Sequence, residues 1–262
     1  MAEDKIRLGG MALRNGVLVH GPTAWACAVR LPDGSLKVEA QRKRLQASKI
    51  QNPLLRGPAR LAEAVAVLPS VKRRLPKAQL PFESPRVLGA MAASAVGVRI
   101  IRGSRLSQAA QEIVAGVLAL TPAILSLRGN DLAAYHGAEH ISIGTYEHDE
   151  PRAREHERCG SHLIGPLLAT TAAANVVAAT VPPRFRRSAR AVASLGAIAA
   201  ATELFGWMVR NPEKRLARVL AKPGHELQHR YATKEPNPEQ VEVAEAALHA
   251  CLALETSHQE AA

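Results

Sequence analysis

The sequence predicts an α+β protein in which a small N-terminal antiparallel β unit precedes a mainly α-helical bundle and a polar helical C-terminus. Three observations predict it. Residues 9–40 are rich in glycine and valine around a turn, "LPDGSL". Beyond residue 84 come four apolar, alanine-rich windows, and after residue 210 the chain turns polar again. These shifts divide the chain into an N-terminal β and basic region (1–84), a helical bundle (85–210) and a polar helical region (211–262).

Taken in order, "GGMALRNGVLVHGPTAWACAV" and "LKVEA" flank turn residues and read as strands of one antiparallel unit. Residues 41–86 are basic and punctuated by six prolines from Pro53 to Pro85, which predicts short helices joined by a linker ending near "PFESP". The apolar windows cover 87–98, 113–127, 163–181 and 191–209. Two polar helices are expected around 212–232 and 238–254, separated by the extended "KEPNP". No fixed-period repeat is visible.

Composition narrows the function classes. Cys27, Cys159 and Cys251 are odd in number and far apart, which argues against a disulfide framework and for a reducing compartment. The opening "MAEDKIRLGG" lacks a basic start followed by an apolar run, so no cleaved signal peptide is expected. A formal net charge of +11, carried by runs such as "QRKR", "VKRR" and "RFRR", favours anionic partners. With only 3% aromatic residues there is little to stack on unpaired bases, and no nucleic-acid or phosphate-loop motif occurs. Anionic lipid head groups are therefore the expected partner rather than nucleic acid.

The window at 163–181 runs for 19 residues without a charge. At 1.5 Å per residue that is about enough for a hydrocarbon core of roughly 30 Å. The windows hold more alanine, glycine and threonine than leucine, a composition shared by close-packed membrane helices and by the buried helices of a soluble bundle. A multi-pass membrane protein is the expectation. Four crossings would put both termini and residues 128–162 on one side, inside if "VKRRLPK" and "NPEKRLARVLAK" follow the positive-inside rule. The loop "PPRFRRSAR" would then break that rule.

Between the second and third windows lies "YHGAEHISIGTYEHDEPRAREHERCGSHL", which holds five of the ten histidines. In "HGAEH", His136, Glu139 and His140 stand three and four residues apart, so a helix projects all three from one face. Two imidazoles one turn apart can both reach a zinc ion at about 2.0 to 2.1 Å, and a neighbouring carboxylate can act as general base on a water. The pattern is H-x-x-E-H, the inverted zincin arrangement. His156 and Cys159 come within reach if the chain doubles back, although Cys159 also suits a small buried position. Glu203, in the middle of "AIAAATELFGWMV", needs compensation in lipid or core, from a metal or from an arginine or histidine on a neighbouring helix. The expected site is thus Glu139 as base, with His136, His140, His156, Cys159 and Glu203 as ligands to a divalent metal, zinc before others. The competing reading is a scaffold in which the same cluster is structural.

These segments, with "HERCGSHL" and "AKPGHELQHRYATKEPNPEQVEVAEAALHA", occur in the order seen in the YqhQ-like family, which the chain resembles from about Gly9 to Leu254. That resemblance implies a multi-pass bacterial membrane protein described as a predicted metal-dependent enzyme, without an established substrate. His136, Glu139, His140, Glu147, His156, Arg158 and Cys159 match its central motif, and Gln228, Glu235, Pro236, Gln240 and Glu242 its C-terminal polar positions. The chain departs from the family's N-terminal pattern at Met11, Arg14, Asn15 and His20, where the family has Gln, Ile, Glu and Arg. It also departs at Ile141 and Glu157, where the family has Lys and Pro.

Overall fold

The computed structural model describes residues 5–128 and 131–259. Residues 1–4 of the opening segment and 129–130 at the start of the polar segment lie outside it. Four strands, β1 (Gly9–Leu13), β2 (Gly16–His20), β3 (Ala24–Arg30) and β4 (Leu36–Arg42), form one antiparallel sheet in sequence order. Gly34, in the predicted "LPDGSL" turn, adopts φ 81°, which only glycine enters without strain.

Period-two alternation gives the sheet two buried faces. Ala12, Val17, Val19, Ala26 and Ala28 face α4 (Leu132–His148) and α8 (Pro238–Gln259), packing with Ala138, Val243 and Leu248. Leu13, Leu18, Trp25, Cys27 and Val29 face α1 (Pro53–Arg74) and pack on Val67, Leu68 and Val71. Because β3 is covered on both faces, its sequence reads as an unbroken apolar run. Burial pushes the Cys27 and Cys251 thiols up to about 12, so both stay protonated at neutral pH. At the end of α8, buried Glu255 accepts hydrogen bonds from Thr23 N–H and Oγ1 and from Ala24 N–H, which ties α8 to the β2–β3 turn.

The proline-rich 41–86 segment differs from expectation. After a short 3-10 turn at Ala47–Lys49 it forms a single 22-residue α1, with Pro53 opening it behind the Asn52 cap and Pro58 and Pro69 inside, and then the expected linker over 75–84. Each internal proline removes one backbone hydrogen bond. The docking of Val67, Leu68 and Val71 on the sheet, together with the buried ion pair of Glu63 with Lys43 (2.9 Å), offsets that loss.

The bundle consists of α2 (Pro85–Arg102), α3 (Gln108–Ser126), α5 (Ile164–Ala179) and α6 (Arg186–Arg210), paired as α2 with α3 and α5 with α6. Ser84 and Ser107 cap α2 and α3 through their hydroxyls. Two stretches, Gly160–Ala179 and Ser188–Arg210, are long and apolar enough to cross a membrane, and only 22% of each is buried. Their outer faces leave Val177, Val192 and Leu195 about two-thirds exposed. Two polar helices follow as the sequence predicts, α7 (Arg215–Leu227), which unwinds into a wide turn over Gln228–Ala232, and α8.

Candidate metal centre

Helix α4 carries the H-x-x-E-H pattern, and its glycines let other chain segments close around it. A side chain at Gly137 would collide with the Lys234 carbonyl, and one at Gly144 would press on Arg152. The chain leaves α4 through Asp149, whose left-handed φ of 57° reverses its direction. It then runs back along the helix and brings Cys159 to the face that bears the two histidines.

The histidines are oriented by backbone carbonyls. His136 Nδ1 lies 2.8 Å from the Ala232 oxygen and His140 Nδ1 lies 2.7 Å from the Arg154 oxygen. A carbonyl can only accept, so both Nδ1 atoms carry the hydrogen and both Nε2 atoms present a lone pair. Hydrogen bonds of this kind hold metal-bound histidines in place. His136 Nε2 is 3.5 Å from Cys159 Sγ, and the ring centroids of His136 and His140 are 4.3 Å apart. One donor atom from each of His136, His140 and Cys159 lies within 4.8 Å of the other two, and among the described residues no other such group converges. Two imidazoles and a thiolate suit zinc.

Glu139 sits beside this group, 6% exposed, with its carboxyl against Gly10 of β1. A Cβ at Gly10 would fall 2.2 Å from Glu139 Oε1, so glycine is required there. Burial raises the carboxyl above the usual range, opposed by charge on His136 and His156. Burial also lowers His140, which keeps its ring neutral and able to bind a cation. A cavity of about 450 Å³ opens beside these residues, lined by Gly10, Met11, His20, Leu127, Glu139 and Arg158 among others. His20 is lowered to about 4, by burial first and then by Lys43, whose Nζ is 3.2 Å from its Nδ1. A neutral ring accepting from Lys43 carries its hydrogen on Nε2.

Two of the expected ligands have other partners. His156 accepts the Arg158 N–H on Nδ1 (3.2 Å) and directs Nε2 to Glu147 (3.3 Å), so neither nitrogen has a lone pair to give. Its ring nevertheless stays close, 5.6 Å from that of His140. Glu203 lies on α6, where Arg56 of α1 grips its carboxylate with two hydrogen bonds. The compensation that an acid on an apolar helix needs thus comes from arginine.

Glu147, which also holds Arg158, anchors the returning loop. Burial would raise its carboxyl, but the His156 hydrogen bond and the Arg158 charge outweigh burial and hold it below the usual value of 4.5. A depressed carboxyl stabilises the fold fully above the unfolded value, and the contribution fades as pH falls through the folded one. Wild type is therefore expected to be more stable than Glu147→Gln at neutral pH and to lose that lead as the pH drops below about 4.5, in unfolding curves compared by pH.

Gln228 holds the other end of the loop. Fully buried, it accepts from His156 N–H (3.0 Å) and directs its amide to the His156 carbonyl (3.2 Å) and Ser161 Oγ (2.8 Å). Residue spacing indicates neither this clamp nor the Gly10 contact. The adjacent glycines 9 and 10, and for Gln228 the family resemblance, were the available signals.

Residues 129–254 match a family described as "Protein of unknown function (DUF1385)". The match covers just under half of the chain. The matched span contains α4, the returning loop, Cys159 and Gln228, and so the whole ligand group with the carbonyls that orient it. Gly10, His20 and Arg56 lie outside it. No curated protein and no solved structure matches the chain.

Proposed function

We propose that this protein is a metal-dependent, hydrolase-like enzyme of the cell membrane. The observation that carries the reading is the pair of Nδ1–carbonyl hydrogen bonds, which turn both Nε2 lone pairs toward Cys159 Sγ beside a buried acid and a cavity. Three protein ligands next to a cavity are typical of catalytic zinc sites, whereas structural sites close with four. When bound, the ion supplies Lewis-acid polarisation of a substrate oxygen. His136, His140 and Cys159 hold it. Glu139, raised by burial, takes a proton from a water in the cavity and passes it to the leaving group.

Helices α5 and α6, with α2 and α3 beside them, enter the bilayer as a multi-pass unit. Their exposed valines and leucines support this placement. The basic flanks, including Lys72, Arg73, Lys214 and Arg215, meet anionic head groups on the cytoplasmic side, where the site also lies.

A second reading keeps the ion but makes it structural. The clamp by Gln228 favours it, since a loop held this tightly is what a structural site needs. Glu139→Gln separates the two. Catalysis requires wild-type metal content with loss of complementation in a deletion strain, whereas a structural ion leaves both intact. A wild-type protein that purifies without zinc, iron or manganese sinks both.

A further inference from the structure

The cavity beside the ligand group is bordered by the free edge of the sheet. In the order β1-β2-β3-β4, β1 has a strand partner on one side only among the described residues. Which of its backbone groups point outward follows from the β2–β3 ladder. The Asn15 carbonyl accepts from Arg30 N–H (2.8 Å) and Gly21 N–H donates to the Ala24 carbonyl (3.0 Å), so residues 15, 17, 19 and 21 face β3. By alternation Gly16, Leu18 and His20 face β1, and their register partners Leu13, Met11 and Gly9 are the bonded residues there. Gly10 and Ala12 therefore direct N–H and C=O away from the sheet.

Neighbouring contacts agree with this assignment. Arg14 N–H, next in the outward series, donates to the Gln79 carbonyl, and the Leu8 carbonyl faces Arg158. Between these two closed ends, Gly10 and Ala12 have no outward hydrogen bond among the described residues, and both line the cavity. An N–H and C=O pair repeated every second residue is what the backbone of an extended peptide complements. An acyl chain would leave these donors and acceptors unpaired. The apolar wall from Met11, Ala123 and Leu127 has room for side chains alternating off such a strand.

We infer that the open edge of β1 docks an extended polypeptide, which adds a strand beside Gly10 and Ala12 and brings a peptide carbonyl to the His136, His140 and Cys159 group. The catalytic half of this inference rests on the hydrolase reading, and the docking half stands without it. The reaction is hydrolysis of the peptide bond by water. The water oxygen bonds to the carbonyl carbon, the C–N bond breaks, and the two water hydrogens end on the new carboxylic acid and amine, with no change of oxidation state. Glu139, against Gly10, is placed to carry the proton that reaches the amine.

The test uses the full chain in detergent, with and without added zinc, and fluorescently labelled β-casein as an unfolded polypeptide probe. In the free protein the amides of Gly10 and Ala12 should exchange hydrogen quickly and those of Met11 and Leu13 slowly. β-Casein should protect the first two. Ala12→Pro removes one outward N–H without touching the β1–β2 ladder and should weaken casein binding by about tenfold, the worth of one backbone hydrogen bond, with metal content unchanged. Casein binding that leaves 8–13 unprotected, no casein binding at all, or Ala12→Pro binding like wild type overturns the inference. Protection of Gly10 and Ala12 by phosphatidylglycerol vesicles but not by casein also overturns it and assigns the cavity to lipid. Casein that protects β1 and stays intact on zinc-loaded protein refutes the peptidase step. A zinc-free protein that still shows β1 protection refutes the hydrolase reading and leaves the docking strand standing.

Discussion

Replacing His136 and His140 together with alanine is expected to reduce bound metal from about one ion per chain to background, while the protein stays folded. Zinc held by a full set of protein ligands is worth roughly 10–16 kcal/mol, or about 3 kcal/mol per ligand, so losing two lowers affinity by about 10⁴-fold. The fold is expected to survive because α4 keeps its core contacts through Leu132, Tyr135, Ala138 and Ile143, although the Ala232 and Arg154 carbonyls lose their donors. Metal analysis of both purified proteins, with circular dichroism to confirm folding, reads the outcome. Equal metal in the two would mean the ion sits elsewhere. The same analysis on a Glu203→Gln variant should show wild-type content, since that carboxylate belongs to Arg56.

Gln228→Ala has the second large effect. The substitution strands the His156 N–H and carbonyl and leaves Ser161 Oγ without its donor, around a side chain that is fully buried. Each unsatisfied buried group costs about 1–3 kcal/mol, and partial relaxation brings the expected loss to about 2–4 kcal/mol. The thermal midpoint should fall by about 5–10 °C. Because the bonded segment, 156–161, also carries Cys159, metal affinity should fall about 10- to 100-fold, as when the groups that orient a ligand are removed. A lower midpoint with unchanged affinity would make Gln228 a purely structural residue.

The predictions differ in how far they were legible before folding. His136, Glu139 and His140 fall on one face because a helix repeats every 3.6 residues, so their partnership is a local property. Cys159 joins them from a reversed chain, a possibility that its residue type allowed and the turn at Asp149 realised. His156 shows the limit. Its type and position suit a ligand, yet the Arg158 N–H and Glu147 occupy both ring nitrogens, and those contacts exist only once the loop has closed. The proline-rich 41–86 segment was misread for a related reason. Proline is a local breaker, but the docking of α1 on the sheet through Val67, Leu68 and Val71 outweighs it.

The sequence by itself determined the β unit, the turn at Gly34, the apolar helices and the paired histidines, because alternation, helical period and glycine's φ range act within a few residues. Tertiary structure alone decided that Arg56 neutralises Glu203, that Gly10 makes room for Glu139, and that β1 keeps an open edge along the cavity. Each of these sets residues more than a hundred positions apart against one another, or depends on which edge the other elements leave uncovered. Such juxtapositions are fixed by the packing of whole elements, which no short window of residues encodes.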